Sequence, residues 1–524
     1  MNIKSGRSLS VAAALLFLAA AGCTDPTVAP QSTITEANVF TDANSYKSFL
    51  AKVYAGLAVS GQQGAAGNGD IQGIDEGFSQ YLRLYWETQE LPTDEAIIGW
   101  NDIGLPEMNT GLWTSQSNMV VAMYYRIFFQ VGMANEFLRQ TTDDKLAARN
   151  VGTTLRAEIK QYRAEARFLR ALSYWHGIDL FGNIPLVRET DAIGATPPLQ
   201  ATRADLYAYV VSELLAIRDS LPTPGAANYG RATTQAANML LAKVYLNAGV
   251  YTGTTRYPEA LAALTAVIGG GYTLDPSYAH LFQADNNTSP EIIFAVTQDG
   301  ARTQTWGGMT FLVHASCGGS MSTAAYGVDY CWWGLRMKPE LYNLFGVGDL
   351  RASLFYTSGQ NVAVTSVGNF NDGIANGRFT NLTSTGARGS NATHVDTDFP
   401  LFRLADAYLM YAEANLRGGG GSAATALGYV NAIRQRAYGG ASGDITAGQL
   451  TLDFVLAERG RELNWEAHRR NDLVRYGRFT GATYLWAWKG GTLAGTSTAA
   501  FRDLYPLPAN ELIANPNLTQ NTGY

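Results

Sequence analysis

Residues 235–249, QAANMLLAKVYLNAG, and residues 257–271, YPEALAALTAVIGGG, carry apolar side chains at helical spacing. In both stretches the apolar residues recur every three or four positions, which predicts an amphipathic helix. A short segment separates them, so the two helices are expected to form a hairpin. A hairpin of this kind cannot bury its apolar faces alone, so it must stack on similar neighbours.

A second pair of stretches repeats this arrangement later in the chain. Residues 404–419, LADAYLMYAEANLRGG, and residues 423–440, AATALGYVNAIRQRAYGG, again show helical spacing in both halves. The first pair is similar to a tetratricopeptide-type hairpin, with Tyr245 in its first helix and Tyr257 opening the second. The predicted fold class is therefore mainly α, a tetratricopeptide-like scaffold of stacked helix hairpins.

Helical spacing covers much of the chain, but two long intervals lack it. The stretches that show it are residues 43–58, 116–140, 153–181, 203–220, 234–248, 257–269, 403–417, 422–437 and 452–476. Residues 60–115 and 285–400 are instead rich in Gly, Thr, Ser, Asn and aromatic residues, with strand-like alternation in EIIFAVTQ at 291–298. Long loops of this kind are usually functional. We predict that they are irregular, partly β, inserted binding loops.

The composition is that of a globular protein with few charges. Of the 524 residues, 46% are hydrophobic and 16% are charged, below the roughly 25% charged residues of a typical soluble domain. This length favours several packing units or a repeat architecture over one hydrophobic core. The formal net charge is -6 and no run of Lys and Arg occurs, which argues against a nucleic-acid partner.

Residues 1–22 have the pattern of a signal peptide. Lys4 and Arg7 precede the apolar stretch VAAALLFLAAAG, which is too short to span a bilayer. The stretch leads into AAAGC, which is similar to a bacterial lipobox and predicts that Cys23 is lipidated and becomes the mature N-terminus. An ordinary cleavage site that happens to precede a cysteine is the alternative.

Residues 23–40 are polar and contain proline, as expected of a tether between a lipid anchor and a folded body. Removal of residues 1–22 deletes two basic residues and no acid, which leaves 36 basic against 44 acidic residues and a net charge of -8. No later run of 18 apolar residues occurs. We therefore predict a body held at the membrane by its lipid alone.

Two more cysteines, Cys317 and Cys331, lie 14 positions apart in a chain that is predicted to be exported. A disulfide between them would pin the intervening segment and stabilise the fold by up to about 3 kcal/mol in the loop-entropy model. Two separate buried thiols are the alternative, and the sequence leaves both open.

The adjacent acids Asp94 and Glu95 do not suit the chemistry of a glycosidase. Such an enzyme needs two carboxyl groups that face one bond at roughly 5 to 9.5 Å. Adjacent side chains diverge on a helix and point to opposite faces of a strand. We expect instead that Thr93 caps a short helix, with both acids in its first turn.

Glu458 and Glu462 do share a helix face, but they are expected to form ion pairs. Arginines surround them, and ion pairing keeps a carboxylate ionised, whereas a general acid needs a raised pKa. The arginines in question are Arg459, Arg461, Arg469 and Arg470. The five histidines are scattered, and no HExxH, G-x-S-x-G or phosphate-binding loop occurs. We predict no catalytic residues, no metal site and no cofactor.

Four blocks of sequence together resemble a known family, the SusD/RagB family of lipid-anchored nutrient-binding proteins of the outer membrane. The resemblance covers essentially the whole mature chain. Its most specific part is the closing string YPLPANELIANPNLTQNTGY. The blocks are TDEAIIGW (93–100), AEARFLRALSYWHGIDLFGNIPLV (164–187), FRLADAYLMYAEANLR (402–417) with VNAIRQRA (430–437), and VLAERGRELNWEAHRRNDLVRYG (455–477) with the closing string (505–524).

The resemblance implies a fold and a role. Residues 41–284 would form an N-terminal part and residues 285–524 a C-terminal part that includes the insertion 285–400, the two being intertwined in one fold. The family implies a non-enzymatic surface protein that faces the cell exterior as a lid on a SusC-like TonB-dependent barrel transporter. Family members deliver oligosaccharides, or in some cases peptides, to that barrel without cutting them.

The resemblance also implies where ligand binds. In the starch-binding branch, a Trp after the TDE motif joins aromatic residues of the later insertion in an arc, and Trp100 and Asn101 match the first element. One indole stacked on a sugar contributes on the order of 1 kcal/mol, so several are needed for millimolar to tens-of-micromolar dissociation constants. The predicted ligand contacts are Trp100, Asn101, Asp94, Trp306, Tyr326, Tyr330, Trp332 and Trp333, with core packing as the alternative for each aromatic residue.

Three other functions stay open at this point. A peptide-binding member of the same family would need partners for backbone hydrogen bonds and less flat aromatic surface. A glycoside hydrolase would release products from oligosaccharides. A pure interaction scaffold of stacked helices would bind no small ligand.

Overall fold

Helices dominate the computed structural model, which describes residues 39–524 except 41, 66 and 195. Residues 47–524 form one compact unit. The α-helices are α1 Ala43–Ala58, α2 Tyr81–Glu90, α3 Leu105–Thr110, α4 Asn118–Gln140, α5 Asp143–Ala148, α6 Thr153–Leu180, α7 Arg203–Ile217, α8 Thr234–Leu246, α9 Ala248–Thr252, α10 Tyr257–Ile268, α11 Gly308–Ala315, α12 Thr323–Tyr326, α13 Pro339–Tyr342, α14 Leu404–Leu416, α15 Ala423–Tyr438, α16 Leu452–Leu463, α17 Arg469–Arg475 and α18 Ala509–Ala514. The prediction of a mainly α fold is confirmed.

The long helices pack on one another in chain order. Helix α4 packs on α6, α6 on α7, α8 on α10, α10 on α14, and α14 on both α15 and α16. Both hairpins predicted from the sequence are present, as α8 with α10 and as α14 with α15. This stacking buries the apolar faces that no single hairpin can bury alone.

Side-chain caps define where several scaffold helices begin. The Thr233 side chain accepts a hydrogen bond from the backbone of Ala236 at the start of α8, and Ser422 accepts one from Thr425 at the start of α15. Thr451 caps α16 in the same way. Each cap satisfies a donor that the first helical turn leaves free, and contributes about 1 kcal/mol.

The strands are short and pair antiparallel, mostly within and between the two irregular intervals of the sequence. In the described residues the strands are β1 Ala96–Ile98, β2 Ile184–Pro185, β3 Gln200–Ala201, β4 Ile292–Val296, β5 Leu335–Met337, β6 Phe355–Tyr356, β7 Ala375–Asn376 and β8 Phe399–Arg403. They pair as β1 with β5, β2 with β3, β4 with β8, and β6 with β7. Strand β4 lies in the alternating stretch EIIFAVTQ. The β1–β5 pair, with Ile97 opposite Arg336, joins the two irregular intervals of the sequence.

The prediction of one helix over residues 452–476 is wrong. Helix α16 ends at Leu463 and α17 begins at Arg469, because Trp465 and Ala467 adopt left-handed backbone conformations with φ of 61° and 60°. The Trp465 side chain is fully buried, and its backbone N–H donates to the Glu95 carboxylate at 3.0 Å. Burial of this indole and its partners outside the helix stabilises the break.

Two expectations for residues 60–115 are also wrong. The interval contains helix α2, which carries the buried Trp86, and the short helix α3. Thr93 does not start a helix, because its hydroxyl donates to the carbonyl oxygen of Glu90 at 2.6 Å, just past the end of α2. The acids that follow it lead into β1.

The carboxylates of Glu458 and Glu462 lie in a buried ion-pair network, as predicted, although most of their partners differ from the arginines we expected. Burial opposes ionisation of these groups, but the neighbouring guanidinium groups lower the pKa of each to about 2. Glu458 pairs with Arg351, Arg434 and Arg461, and Glu462 with Arg351, Arg403 and Arg436. Of the expected arginines, Arg459 pairs with Asp406 and Asp472, Arg469 with Asp94, and Arg470 with Asp179.

The N-terminal predictions fall largely outside the described part of the chain. Residues 1–38, with the signal peptide, Cys23 and nearly all of the tether, belong to the undescribed segment. Among the helices that are described, none has the length and apolar character needed to cross a membrane. The division into parts at residue 284 stays a prediction.

Candidate functional site

Three segments that are distant in sequence meet at one surface. They are the residues after β1, the segment that runs from residue 305 through α11 to β5, and the loop at residues 391–396. The β1–β5 pairing continues one step further, where the backbone N–H of Gly99 donates to the carbonyl oxygen of Gly334 at 2.9 Å. This pairing brings Trp100 beside Trp332.

Four aromatic side chains form a continuous row on this surface, called the aromatic row below. Trp100 and Trp332 have ring centroids 6.3 Å apart, and Trp332 and Trp306 have centroids 6.0 Å apart. The row ends where Trp306 packs against His394 at 5.1 Å. Trp306 is 40% exposed, and the other two indoles are half-buried. The Trp100 indole N–H donates to the carbonyl oxygen of Trp332 at 3.1 Å, which fixes its orientation.

The segment that carries Trp332 is fixed to the end of α11. A disulfide joins Cys317 to Cys331, so of the two alternatives left open by the sequence the structure contains the bridge. Three backbone hydrogen bonds run beside it: Trp332 N–H to His314 O, Trp333 N–H to Cys317 O and Gly334 N–H to Ala315 O. The middle of the aromatic row is therefore held rigidly before any ligand arrives.

The backbone of Trp306 is held from the other side of the site. Its N–H donates to the buried carboxylate of Glu76 at 3.0 Å. Gly77 lies so close that a Cβ there would be 2.8 Å from the Trp306 Cβ. The most exposed indole of the row is therefore anchored through its backbone while its ring stays accessible.

The position of the Trp100 ring requires a glycine at residue 334. A Cβ at Gly334 would lie 2.7 Å from both Cε2 and Cζ2 of the indole. We expect Gly334→Ala to displace the ring, to lower the free energy of unfolding by about 1 to 3 kcal/mol, and to weaken ligand binding. Urea unfolding and calorimetric titration measure the two effects. Gly368→Ala is the matched control, because a Cβ there meets nothing within 4 Å.

Three more of the predicted ligand contacts are exposed beside or near the row. Asn101 is exposed next to Trp100. Tyr330 is 68% exposed, and its carbonyl oxygen accepts from the buried His314 ring. Trp333 is 52% exposed, but the ring it contacts is Phe370 at 6.0 Å, outside the aromatic row. A role in ligand binding stays a prediction for each of these residues.

Two predicted ligand contacts are corrected by the structure. Tyr326 is only 8% exposed and its ring is packed beside Gly377. Asp94 has no exposed surface, because Arg469 grips both of its oxygens at 2.7 and 2.6 Å and the Tyr484 hydroxyl donates to it. Although burial opposes ionisation, Arg469 lowers the pKa of Asp94. Asp94 is therefore a structural ion-pair partner.

Glu95 is buried beside Asp94 and has the opposite titration behaviour. Burial raises its pKa from 4.5 to about 8, against the effect of Arg469. The native state therefore keeps a proton that the unfolded chain loses above pH 4.5, so stability falls as the pH rises from about 4.5 to 8.

Removing this proton site is expected to flatten the pH profile of stability. Glu95→Gln keeps an oxygen that can accept from the Trp465 N–H but cannot ionise. Its stability relative to the wild type should rise by about 1 to 3 kcal/mol between pH 5 and pH 8. Urea unfolding at several pH values checks this. The exposed Glu158→Gln serves as control, and equal slopes for all three proteins would contradict the assignment.

Sequence reasoning missed several side chains of the site. Arg83 of α2 is buried with its guanidinium carbon 4.0 Å from the Phe311 ring centroid and 5.8 Å from that of Trp100. His314 stacks on Trp332 at 4.7 Å and 27°, and His394 ends the row. No local pattern marked these residues, because their neighbours are distant in sequence. In the described part of the chain, no group of three or more His, Cys, Asp and Glu side chains is placed to hold a metal ion.

The fold and the aromatic row define a class of protein, a scaffold of stacked helix pairs that presents aromatic rings on its surface. Residues 349–524 match the SusD family, and residues 90–246 match a family described as "Starch-binding associating with outer membrane". Starch-binding protein SusD of Bacteroides thetaiotaomicron is 35% identical over 525 residues, 90% of this chain and 91% of that protein. The chain belongs to the SusD family.

A second relative agrees with this assignment, and two solved structures match the fold. SusD-like protein P2 of Formosa agariphila is 26% identical over 80% of this chain and 83% of its own length. The structure of surface glycan-binding protein A from Bacteroides thetaiotaomicron with laminarihexaose matches the fold with a TM-score of 0.69 at 20% identity, over 91% of this chain and 99% of that one. A SusD superfamily protein from Parabacteroides distasonis matches with a TM-score of 0.72 at 21% identity, over 94% and 100%.

Proposed function

We propose that this chain binds oligosaccharides on the aromatic row without cutting them and delivers them to a SusC-like TonB-dependent barrel transporter. The observation that carries the proposal is the unbroken surface row of three indoles. Indole faces stack on the apolar faces of pyranose rings, and each such contact contributes on the order of 1 kcal/mol. Three of them, with hydrogen bonds from neighbours such as Asn101, suffice for binding in the millimolar to tens-of-micromolar range.

The tilt between the rings favours a glycan that curves. The planes of Trp100 and Trp332 are inclined by 45°, and those of Trp332 and Trp306 by 53°. A flat chain such as a β-1,4-glucan presents its sugar faces in parallel and cannot stack on all three rings. A helical chain such as an α-1,4-glucan or a β-1,3-glucan turns its successive faces. The relatives named for starch and crystallised with laminarihexaose are consistent with this class.

Several observations support binding without catalysis. The paired acids singled out in the sequence are buried: Asp94 is held by Arg469, and Glu458 and Glu462 lie in the arginine network. Carboxylates locked in this way have no access to a glycosidic bond. The relatives are named as binding proteins.

The proposed location is supported by the leader-like segment and by the family. The lipobox-like segment before Cys23 supports a lipid anchor, and the matched family is described as associating with the outer membrane. We therefore place the protein on the outer membrane, facing the exterior, where captured sugar passes to the barrel. Co-purification of such a barrel with this protein from membranes is the corresponding test.

Calorimetry with three oligosaccharides tests the function. Maltoheptaose and laminarihexaose are expected to bind, cellohexaose to bind at least tenfold more weakly, and chromatography of the mixtures to show no shortened products. Trp306→Ala should weaken binding by about fivefold to tenfold, because one stacking contact is lost. Ile513→Ala, an exposed apolar residue of α18, is the control. Product release or absence of sugar binding would overturn the proposal.

A further inference from the structure

His314 faces a backbone carbonyl with each of its ring nitrogens. Its Nδ1 lies 2.6 Å from the carbonyl oxygen of Tyr330, and its Nε2 lies 2.7 Å from that of Thr393. The side chain is buried at the end of α11, with its ring stacked on Trp332 at 4.7 Å. Both contacts are short enough for good hydrogen bonds.

Only the protonated ring satisfies both contacts. A carbonyl oxygen accepts and never donates, so each contact requires an N–H on the imidazole. A neutral imidazole has one N–H, whereas the imidazolium has two. In the neutral state of His314, one nitrogen lone pair would face a carbonyl oxygen at less than 3 Å.

The two carbonyl groups belong to segments that carry different parts of the aromatic row. Tyr330 lies two residues before Trp332, and Thr393 directly precedes His394, which packs on Trp306. His314 thus bridges the supports of two neighbouring indoles. A change in this bridge is expected to move the loop of His394 relative to the disulfide-held segment of Trp332.

Two further hydrogen bonds hold the two segments together whether the His314 ring is protonated or neutral. The Asp329 N–H donates to the carbonyl oxygen of Ala392 at 3.1 Å, and the Thr393 hydroxyl donates to the Asp329 carboxylate. Loss of the proton from His314 is therefore expected to loosen the site and not to unfold it.

We propose that His314 is a positioning residue of the glycan site, whose protonation draws the loop at residues 391–396 toward the Tyr330 segment and strengthens glycan binding. The inference rests on the proposed function above. His314 is buried beneath the row and acts through Trp332 and the loop of His394, not by touching the sugar.

The surroundings of His314, burial above all, place its transition on the acid side of neutrality. Burial lowers the pKa of His314 below its ordinary range, while the carbonyls of Tyr330 and Thr393 and the carboxylate of Asp329 act in the opposite direction. His394 reinforces the lowering. Because the protonated form is the one that binds sugar better, affinity is expected to rise as the pH falls through this range.

Calorimetric titration with maltoheptaose or laminarihexaose, whichever binds, between pH 4.5 and 7.5 tests the proposal. Wild-type affinity should increase about two- to tenfold toward the acid end, the range expected for one net hydrogen bond. His314→Gln should bind with a flat profile, since an amide does not titrate. His280→Gln should keep the slope, because the ring nitrogens of His280 face Asp275 and Asp285 and not the supports of the row.

Spectra of protein with ¹⁵N-labelled histidine supply a readout that needs no ligand. The His314 signal, assigned by its loss in His314→Gln, should show two N–H groups at low pH and one at high pH. Binding with no slope, a slope that persists in His314→Gln, or one N–H at every pH would overturn this inference alone. Failure of both sugars to bind at any pH would overturn the proposed function with it.

Discussion

Alanine at both Trp100 and Trp306 is expected to weaken glycan binding about 70-fold, because each indole that is lost removes about 50 Å² of stacked apolar surface, or about 1.25 kcal/mol. Both rings contact Trp332. Because they share this partner, 70-fold is the value for full additivity, and the two single variants measure the departure from it. Calorimetry with the tighter of the two expected ligands measures the loss.

The control for this variant must separate lost contacts from lost structure. Trp100 is half-buried and donates to the Trp332 carbonyl, so thermal unfolding of the double variant is measured in parallel. Trp488→Ala provides the matched comparison, since this indole is also half-buried and donates to a backbone carbonyl, that of Val364, outside the row. A folded double variant with undiminished affinity would rule out the aromatic row as the binding surface.

Replacement of Arg403 by methionine is expected to lower the free energy of unfolding by at least about 3 to 5 kcal/mol. The guanidinium is 1% exposed and pairs with Glu291 at 2.8 Å, Glu462 at 2.7 Å and Glu466 at 2.6 Å. Methionine fills much of the volume but leaves three buried carboxylates with one cation fewer, which is the costly way to break a buried pair. Urea unfolding measures the change.

Arg302→Met is the matched control for Arg403→Met. Its guanidinium pairs with Asp299 at 2.7 Å, but the side chain is 84% exposed. Exposed pairs contribute less than about 1 kcal/mol, so the same substitution should have little effect there. Equal losses for both variants would mean that burial of the network does not determine its contribution.

Much of the scaffold could be predicted because helical spacing is a local signal. The hairpins α8 with α10 and α14 with α15 begin and end within a few residues of the predicted stretches. The break after α16 was not predictable, since it depends on left-handed conformations at Trp465 and Ala467, which are not glycines. Their cause is tertiary: the backbone N–H of Trp465 donates to the Glu95 carboxylate, and the Trp465 carbonyl oxygen accepts from the indole N–H of Trp86.

The grouping of aromatic residues at the candidate site was predictable in kind but not in detail, and its role in binding stays a prediction. The resemblance and the Trp content of the insertions pointed to Trp100, Trp306 and Trp332, which the structure brings together. Their neighbours depend on pairing between strands β1 and β5, which no local pattern reveals. Asp94 was wrongly included because the Arg469 that neutralises it lies 375 positions away.

The separation between the aromatic row and the buried arginine network has a consequence for how this lineage can change. The rings lie on strand ends and loops, whereas the guanidinium groups join the helices through buried ion pairs. The ring contacts of the row are separate from these ion pairs. Ligand specificity and thermal stability can therefore change nearly independently in the course of evolution. A homologue in which a smaller ring replaces one indole of the row would have a different glycan specificity on the same helical scaffold.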